Sequence, residues 1–360
     1  MKMNYSQRLY RIRESMKQNG LDGMILMDRA NAFYASGFRG TYSLILIMHD
    51  IALFMTDSRY FEAAQKRMGS HFEVVRQKND GKGQLKCFFG VRGKLHIGFE
   101  PGIPYEKYRW LKEAISPARL VDAGYILKKI RCQKEPEELK FITRAASVAD
   151  RCFKAICREI KSGVTERDLA LGIRRFFDDA GAESESFPAI VASGANAAIP
   201  HHQVGRRKFR KGDCVLVDLG CRIGGYCSDM TRTVFLDDVK TREKEIYGIV
   251  REAQELGLHA VKSGISARQV DQAVRQYIHE SGYGDFFGHN TGHGVGIEIH
   301  ESPVVGPRSD DVLEEGMVIT IEPGIYIPGK LGVRIEDLLL VTKEGAKILS
   351  QTPKKLEVIS

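Results

Sequence analysis

The chain has 360 residues, 43% of them hydrophobic and 28% charged, with a net charge of +8. That length exceeds what one ordinary core fills, and the composition leaves no room for a long disordered tract, so two folded domains are expected. The basic residues are interleaved with acids, which argues against a nucleic-acid partner. No apolar run is long enough for a leader peptide or a membrane span, and seven cysteines without a paired spacing fit a reducing cytoplasm.

Leu9, Ile12 and Met16 fall on one helical face that Gly20 ends, and apolar runs at 23–27 and 44–55 read as strands, the second broken by a turn at His49-Asp50. Strands at 72–76, 95–99 and 119–121 alternate with a helical pattern at 104–115, so a first α/β domain closes near Asp122. The charged stretch 128–138, with Pro136, reads as a linker. Helical patterns at 137–160 and 166–180 then precede a strand-rich segment at 214–236. The order repeats, with helices at 241–263 and 267–281 before strands at 317–341, so the C-terminal part reads as two similar halves.

Each half carries a pair of carboxylates. Asp218 interrupts the apolar run Val215–Leu219, and Asp229 follows a turn around Arg222-Ile223-Gly224-Gly225. A two-residue loop at Ile223-Gly224 puts Arg222 opposite Gly225 and Asp218 opposite Asp229, about 5 Å apart at Cβ. Ile suits such a loop poorly, which leaves a longer or bulged loop open. In the second half a turn centred on Gly329 makes Glu322 face Glu336. Four dry carboxylates repel strongly, whereas two divalent cations bring their formal charge to zero if the remaining ligand is a neutral imidazole. The segment 287–301 offers three histidines among glycines. No His-Glu-x-x-His is present, Gly292-x-Gly294-x-Gly296 lacks the strand-to-helix setting of a dinucleotide site, and Cys214, Cys221 and Cys227 lack the spacing of a zinc knuckle. The basic run 206–211 reads as a solvated loop.

These motifs, with Asn31-Ala32-Phe33-Tyr34 and Thr56-Asp57-Ser58-Arg59-Tyr60 in the N-terminal part, resemble the metallopeptidases of the pita-bread, or creatinase/aminopeptidase, fold, above all the Xaa-Pro members. The resemblance implies an α/β (α+β) chain: a creatinase-like N-terminal domain over 1–127, a linker over 128–138 and a pita-bread catalytic domain of two pseudo-symmetric halves over 139–360. It implies two divalent metal ions, with Asp218 a bidentate ligand of one, Asp229 and Glu336 shared by both, and His293 and Glu322 completing the other site. His201 matches a position near the scissile bond, and His289 and His300 match substrate-contacting histidines. Arg334 and Tyr326 match positions that support the site and are candidates for substrate binding, Arg334 reading equally well as an ion pair that holds carboxylates. His202 matches no functional position, and Asn290 stands where Gly or Ser is usual.

The activity implied is hydrolysis of the Xaa-Pro bond by water activated at the cations, with Glu322 accepting the proton, His300 steadying the oxyanion, and His201 and His289 orienting the substrate. One imidazole among carboxylates favours Mn²⁺, with Co²⁺ or Zn²⁺ as substitutes. A dipeptidase (prolidase) is preferred over an aminopeptidase P acting on longer peptides, and a homodimer is expected. A creatinase-like hydrolase and a non-enzymatic binding module would both have shed ligands, and all five are present. Methionine aminopeptidases lack this N-terminal part.

Overall fold

The computed structural model describes residues 3–360. The chain divides into two compact units, Met1–Arg131 and Cys132–Ser360. None of the described helices is long and apolar enough to cross a membrane.

In the first unit α1 (Tyr5–Gln18) buries Leu9, Ile12 and Met16 along one side. There follow β1 (Gly23–Leu26), α2 (Arg29–Ser36), β2 (Leu44–Met48), β3 (Ala52–Thr56), α3 (Phe61–Met68), β4 (Glu73–Arg76), α4 (Lys82–Gly90), β5 (His96–Phe99), α5 (Tyr105–Ala114), β6 (Arg119–Asp122) and α6 (Gly124–Cys132). The six strands form one mixed sheet in the order β4-β3-β2-β1-β5-β6. Leu85 and Phe89 of α4 and Leu111 and Ala114 of α5 pack on one face, and α1 lies against β1 and β2. Cover on both faces is why β1, β2 and β3 are buried at every residue instead of alternating.

The second unit opens with α7 (Pro136–Ile156) and α8 (Glu166–Asp179). The stretch 128–138, expected as a linker, is helical at both ends. Residues 128–132 finish α6, and the capping box of Glu135 and Glu138, with Pro136 at the first turn, starts α7 early. Next come β7 (Ser184–Glu185), β8 (Ile190–Ser193), β9 (Cys214–Leu219), β10 (Cys221–Ile223), β11 (Tyr226–Cys227) and β12 (Met230–Leu236), then α9 (Thr241–Ala260) and α10 (Ala267–Glu280). The last strands are β13 (Gly292–Gly294), β14 (Glu301–Val305), β15 (Val318–Ile321), β16 (Gly324–Ile327), β17 (Leu331–Arg334), β18 (Asp337–Val341), β19 (Ala346–Ile348) and β20 (Val358–Ile359). Two sheets dominate, β20-β12-β9-β8 and β14-β13-β15-β18-β19, each preceded in the chain by a helix pair. The α/β class and the two-halved second unit are therefore those the sequence pattern implies.

The period of two along β9 and β12 sorts their residues. Val215, Val217 and Leu219, with Val234 and Leu236, pack against Cys152, Ile156, Leu169 and Phe177 of α7 and α8. Cys214, Leu216 and Phe235 join a different cluster with Ile325 and Val333 of the β16–β17 hairpin. Asp218, Thr231 and Thr233 share that second face by parity, so the carboxylate is carried on the side turned toward the other hairpin.

Candidate metal centre

The first hairpin departs from the expected register. Its loop is Gly224-Gly225, both at positive φ (60° and 88°), with Ile223 paired to Tyr226. Two left-handed residues are what a type I′ turn needs and what a β-branched Ile resists, so the turn moves one residue along. Asp218 consequently pairs with Thr231, not Asp229. The shift raises the partner number by two, which keeps Asp229 on the expected face and places it diagonally from Asp218.

In the second hairpin Gly324 pairs with Arg334 and Ile321 with Asp337, so Glu322 and Glu336 stand at facing positions in one unbroken register around Gly329. They do not bond to each other's backbone. The Glu322 N–H donates to the Thr291 carbonyl at 2.8 Å and the Glu336 N–H to the Thr231 carbonyl at 3.1 Å. The strands thus hand their hydrogen bonds to β12 and to the chain ahead of β13 where the two carboxylates project, and this brings three segments together.

His293 sits on β13 between two glycines for a steric reason. A Cβ on Gly292 would lie 1.9 Å from the Thr320 carbonyl oxygen, and one on Gly294 2.2 Å from that of Ser302. The imidazole Nδ1 donates to the Gly294 carbonyl at 3.0 Å, because a carbonyl can only accept. Its Nε2 then presents a lone pair to Asp229 Oδ2 at 3.5 Å and Glu322 Oε1 at 3.4 Å. Burial first, with His300 nearby, lowers the His293 pKa to about 4, so the ring is neutral. One ligand atom from each of Asp229, His293 and Glu336 falls within 4.8 Å of the others.

The charge balance has the same sense. Asp218, Asp229 and Glu336 are 8%, 5% and 1% exposed. Burial first, then the neighbouring carboxylates, raises Asp229 and Glu336 well above the usual range, and burial pushes Glu322 up to about 8. Asp218 is raised by burial and partly relieved by Arg334, whose Nη2 donates to Oδ2 at 2.7 Å, and by the Thr231 hydroxyl, while the buried Asp218 Oδ1 has no hydrogen-bond partner among the described residues. Acceptors crowd together, one lone pair is aimed at two of them and one buried oxygen is unsatisfied. Hard divalent cations fit such a donor set of carboxylate oxygens and one neutral imidazole.

Arg334 is spent inside this frame. Besides Asp218 it donates from Nε to the Thr231 hydroxyl at 3.0 Å and from Nη1 to the Tyr326 hydroxyl at 2.8 Å and the Pro200 carbonyl at 3.3 Å. Tyr326 in turn donates to His289 Nε2 at 2.9 Å, since His289 Nδ1 already donates to the Asn290 carbonyl at 2.8 Å. Both nitrogens of His289 and the Tyr326 hydroxyl proton are therefore committed within the protein. His201 and His300 are exposed, the His300 ring standing edge-on to His293 at 4.3 Å between centroids.

Two residues absent from the sequence reading complete the frame. The Thr231 hydroxyl donates to Glu336 Oε2 at 2.7 Å while accepting from Arg334, and the Thr320 hydroxyl donates to Glu322 Oε1 at 3.2 Å while accepting from the His293 N–H at 3.1 Å. Each lies two residues from a carboxylate on the same strand face, Thr231 after Asp229 and Thr320 before Glu322, which is the pattern that could have revealed them.

A carboxylate-lined centre on a two-halved α/β scaffold defines a class of metal-dependent hydrolase, and the chain belongs to metallopeptidase family M24, which residues 140–343 match. Residues 8–133 match the creatinase/prolidase N-terminal domain. The chain is similar to the structure of an Xaa-Pro dipeptidase from Bacillus anthracis, with a TM-score of 0.94 and 39% identity over 99% of this chain and 100% of that one. It is similar to an X-Pro aminopeptidase from Thermotoga maritima, with a TM-score of 0.91 and 34% identity over 98% and 99% of the two chains. The Xaa-Pro dipeptidase of Pyrococcus horikoshii is 35% identical over 354 residues, 98% of this chain and 99% of that protein.

Proposed function

We propose that this metallopeptidase is a dinuclear exopeptidase that hydrolyses the Xaa-Pro bond, as a prolidase acting on dipeptides. The observation that carries the reading is the convergence of Asp229, His293 and Glu336 on one point, in a chain related over nearly its whole length to Xaa-Pro dipeptidases. Asp218, Asp229, His293, Glu322 and Glu336 would hold two divalent cations, and Mn²⁺ suits one imidazole among carboxylates, with Co²⁺ or Zn²⁺ able to replace it. Cations bound there would supply Lewis acidity toward a carbonyl and acidify water.

The chain's own residues do the rest. Glu322 keeps more of its side chain exposed (16%) than Asp218 (11%) or Asp229 (6%), which suits it to take a proton from an attacking water. His300, exposed beside His293, is placed to donate to a developing oxyanion. His201 orients the leaving imino nitrogen, and His289 orients substrate indirectly, by fixing the Tyr326 hydroxyl so that its one remaining lone pair can accept from substrate. We assign this chemistry to residues 139–360, and place the protein in the cytoplasm as a homodimer, its seven cysteines being free thiols.

An aminopeptidase acting on longer Xaa-Pro peptides is the second reading. It is favoured by the likeness to the Thermotoga enzyme and by Arg334, four of whose five N–H donors already serve Thr231, Tyr326, Pro200 and Asp218, which leaves one Nη2–H and so no bidentate clamp for a dipeptide's terminal carboxylate. Mn²⁺-loaded protein offered Ala-Pro and Ala-Pro-Ala separates the two. Turnover of the dipeptide alone supports the prolidase, turnover of the tripeptide the aminopeptidase, and turnover of neither refutes both.

A further inference from the structure

Glu166, the first residue of α8, takes no part in the carboxylate cluster, yet its side chain has no exposed surface. Five donors close on it. Oε1 accepts from the Ser193 N–H at 2.9 Å, the Ser193 hydroxyl at 2.8 Å and Asn196 Nδ2 at 2.9 Å, and Oε2 from His202 Nε2 at 2.9 Å and the Gly205 N–H at 3.3 Å. Burial by itself would push this carboxyl up, but the hydrogen bonds from Asn196, His202 and Ser193 outweigh it and hold the group below its usual value. It is a buried anion.

Every one of those donors lies on the segment 193–205, so one side chain fastens both ends of it. Between the ends are Pro200, whose carbonyl accepts from Arg334, and the exposed His201, close enough to Asp218, His289 and His300 to act on their charges. The middle of the segment rests on the second hairpin, where a Cβ on Gly332 would come within 1.8 Å of the Ala197 carbonyl oxygen. Of the five bonds, the one from His202 is made next in the chain to His201. The ring that Glu166 holds therefore sets the peptide from which His201 projects.

We propose that Glu166 and His202 form a positioning pair that fixes the rim of the cleft, holding His201 and the Pro200 carbonyl where the proline side of the substrate meets them. The proposal rests on the Xaa-Pro reading for its substrate and on the geometry of the segment for its mechanism. The pair acts through its neighbours, so its loss degrades substrate fit more than the chemical step, and leaves the cation ligands in place.

The test compares His202→Leu, which removes the donor, with His202→Gln, which can restore one. With Mn²⁺-loaded protein and Ala-Pro, the Leu variant should raise KM about 10-fold with kcat within about 3-fold of the parent, and the Gln variant should recover most of the KM. Metal content per chain should be equal in all three. Amide hydrogen exchange across 194–205 should quicken about 10-fold in the Leu variant while β9 keeps its protection. An unchanged KM or unchanged exchange in the Leu variant overturns the proposal, and so does a fall in kcat alone or faster exchange throughout the protein. If the Leu variant does not accumulate as folded protein, His202→Ser carries the same comparison. Should the parent cleave no Xaa-Pro peptide, the substrate reading fails, and the exchange measurement still decides the pair.

Discussion

Removing divalent ions should make stability depend steeply on pH, with a sign that the buried carboxylates dictate. Glu322 moves from its usual 4.5 to about 8 on burial. A carboxyl whose folded pKa lies above its unfolded value contributes stability that is full below pH 4.5 and is lost as pH rises through about 8, because the unfolded chain releases its proton first. At ~1.4 kcal/mol per unit the loss by pH 8 is several kcal/mol from this group alone, or roughly 10 °C in Tm. Asp229 and Glu336 are raised in the same direction and add to it. Cations neutralise the same charges, so the loaded protein should show little of this slope. The assay is thermal melting of chelator-treated protein from pH 5 to 8, with and without Mn²⁺, alongside Glu322→Gln to isolate that group. A metal-free Tm that stays flat from pH 5 to 8, or a Tm at pH 8 that Mn²⁺ does not raise, would refute the reasoning.

Other substitutions probe the same frame. Asp229→Asn should lower activity by more than about 100-fold, yet raise the melting temperature of the metal-free protein at pH 8, since it removes one of the mutually repelling buried charges; peptide assay and melting curves read the two effects separately. Thr231→Val keeps the shape but deprives Glu336 of a donor and Arg334 of an acceptor, and calorimetric titration with Mn²⁺ should show affinity weakened about 10- to 100-fold. Gly292→Ala places a methyl 1.9 Å from the Thr320 carbonyl oxygen; an unfolding titration should report a loss on the order of 4 kcal/mol or more, and a loss under about 1 kcal/mol would mean that β13 can move aside.

The cluster's donors were legible before any fold, for reasons tied to short-range periodicity. A strand alternates its faces every residue, so Glu322 and Glu336 could be set face to face by counting outward from Gly329, and β15–β18 and β16–β17 keep that count. The same count failed by one loop residue at Asp218, because the choice between Ile223-Gly224 and Gly224-Gly225 depends on which residues accept positive φ. The helix pairs were legible from their apolar spacing, whereas the end of α6 was hidden by the charge of 128–138, where Lys128 and Lys129 lie exposed but Arg131 is buried.

What the sequence by itself determined is the supply: four carboxylates in two pairs, an imidazole between glycines, and strands whose parity turns each acid to a definite face. What only the tertiary structure decided is the convergence. Thr231 reaches Glu336, and Arg334 reaches Asp218, across more than a hundred residues of chain. Such contacts follow from how two sheets approach, and no local periodicity encodes that distance. The same packing consumed four of the five N–H donors of Arg334, closed Glu166 around the segment that carries His201, left Asp218 Oδ1 without a hydrogen-bond partner among the described residues, and turned His293 Nε2 toward Asp229 and Glu322. Parity is a property of one strand, but an unmet demand for cations arises only when several acids are buried together.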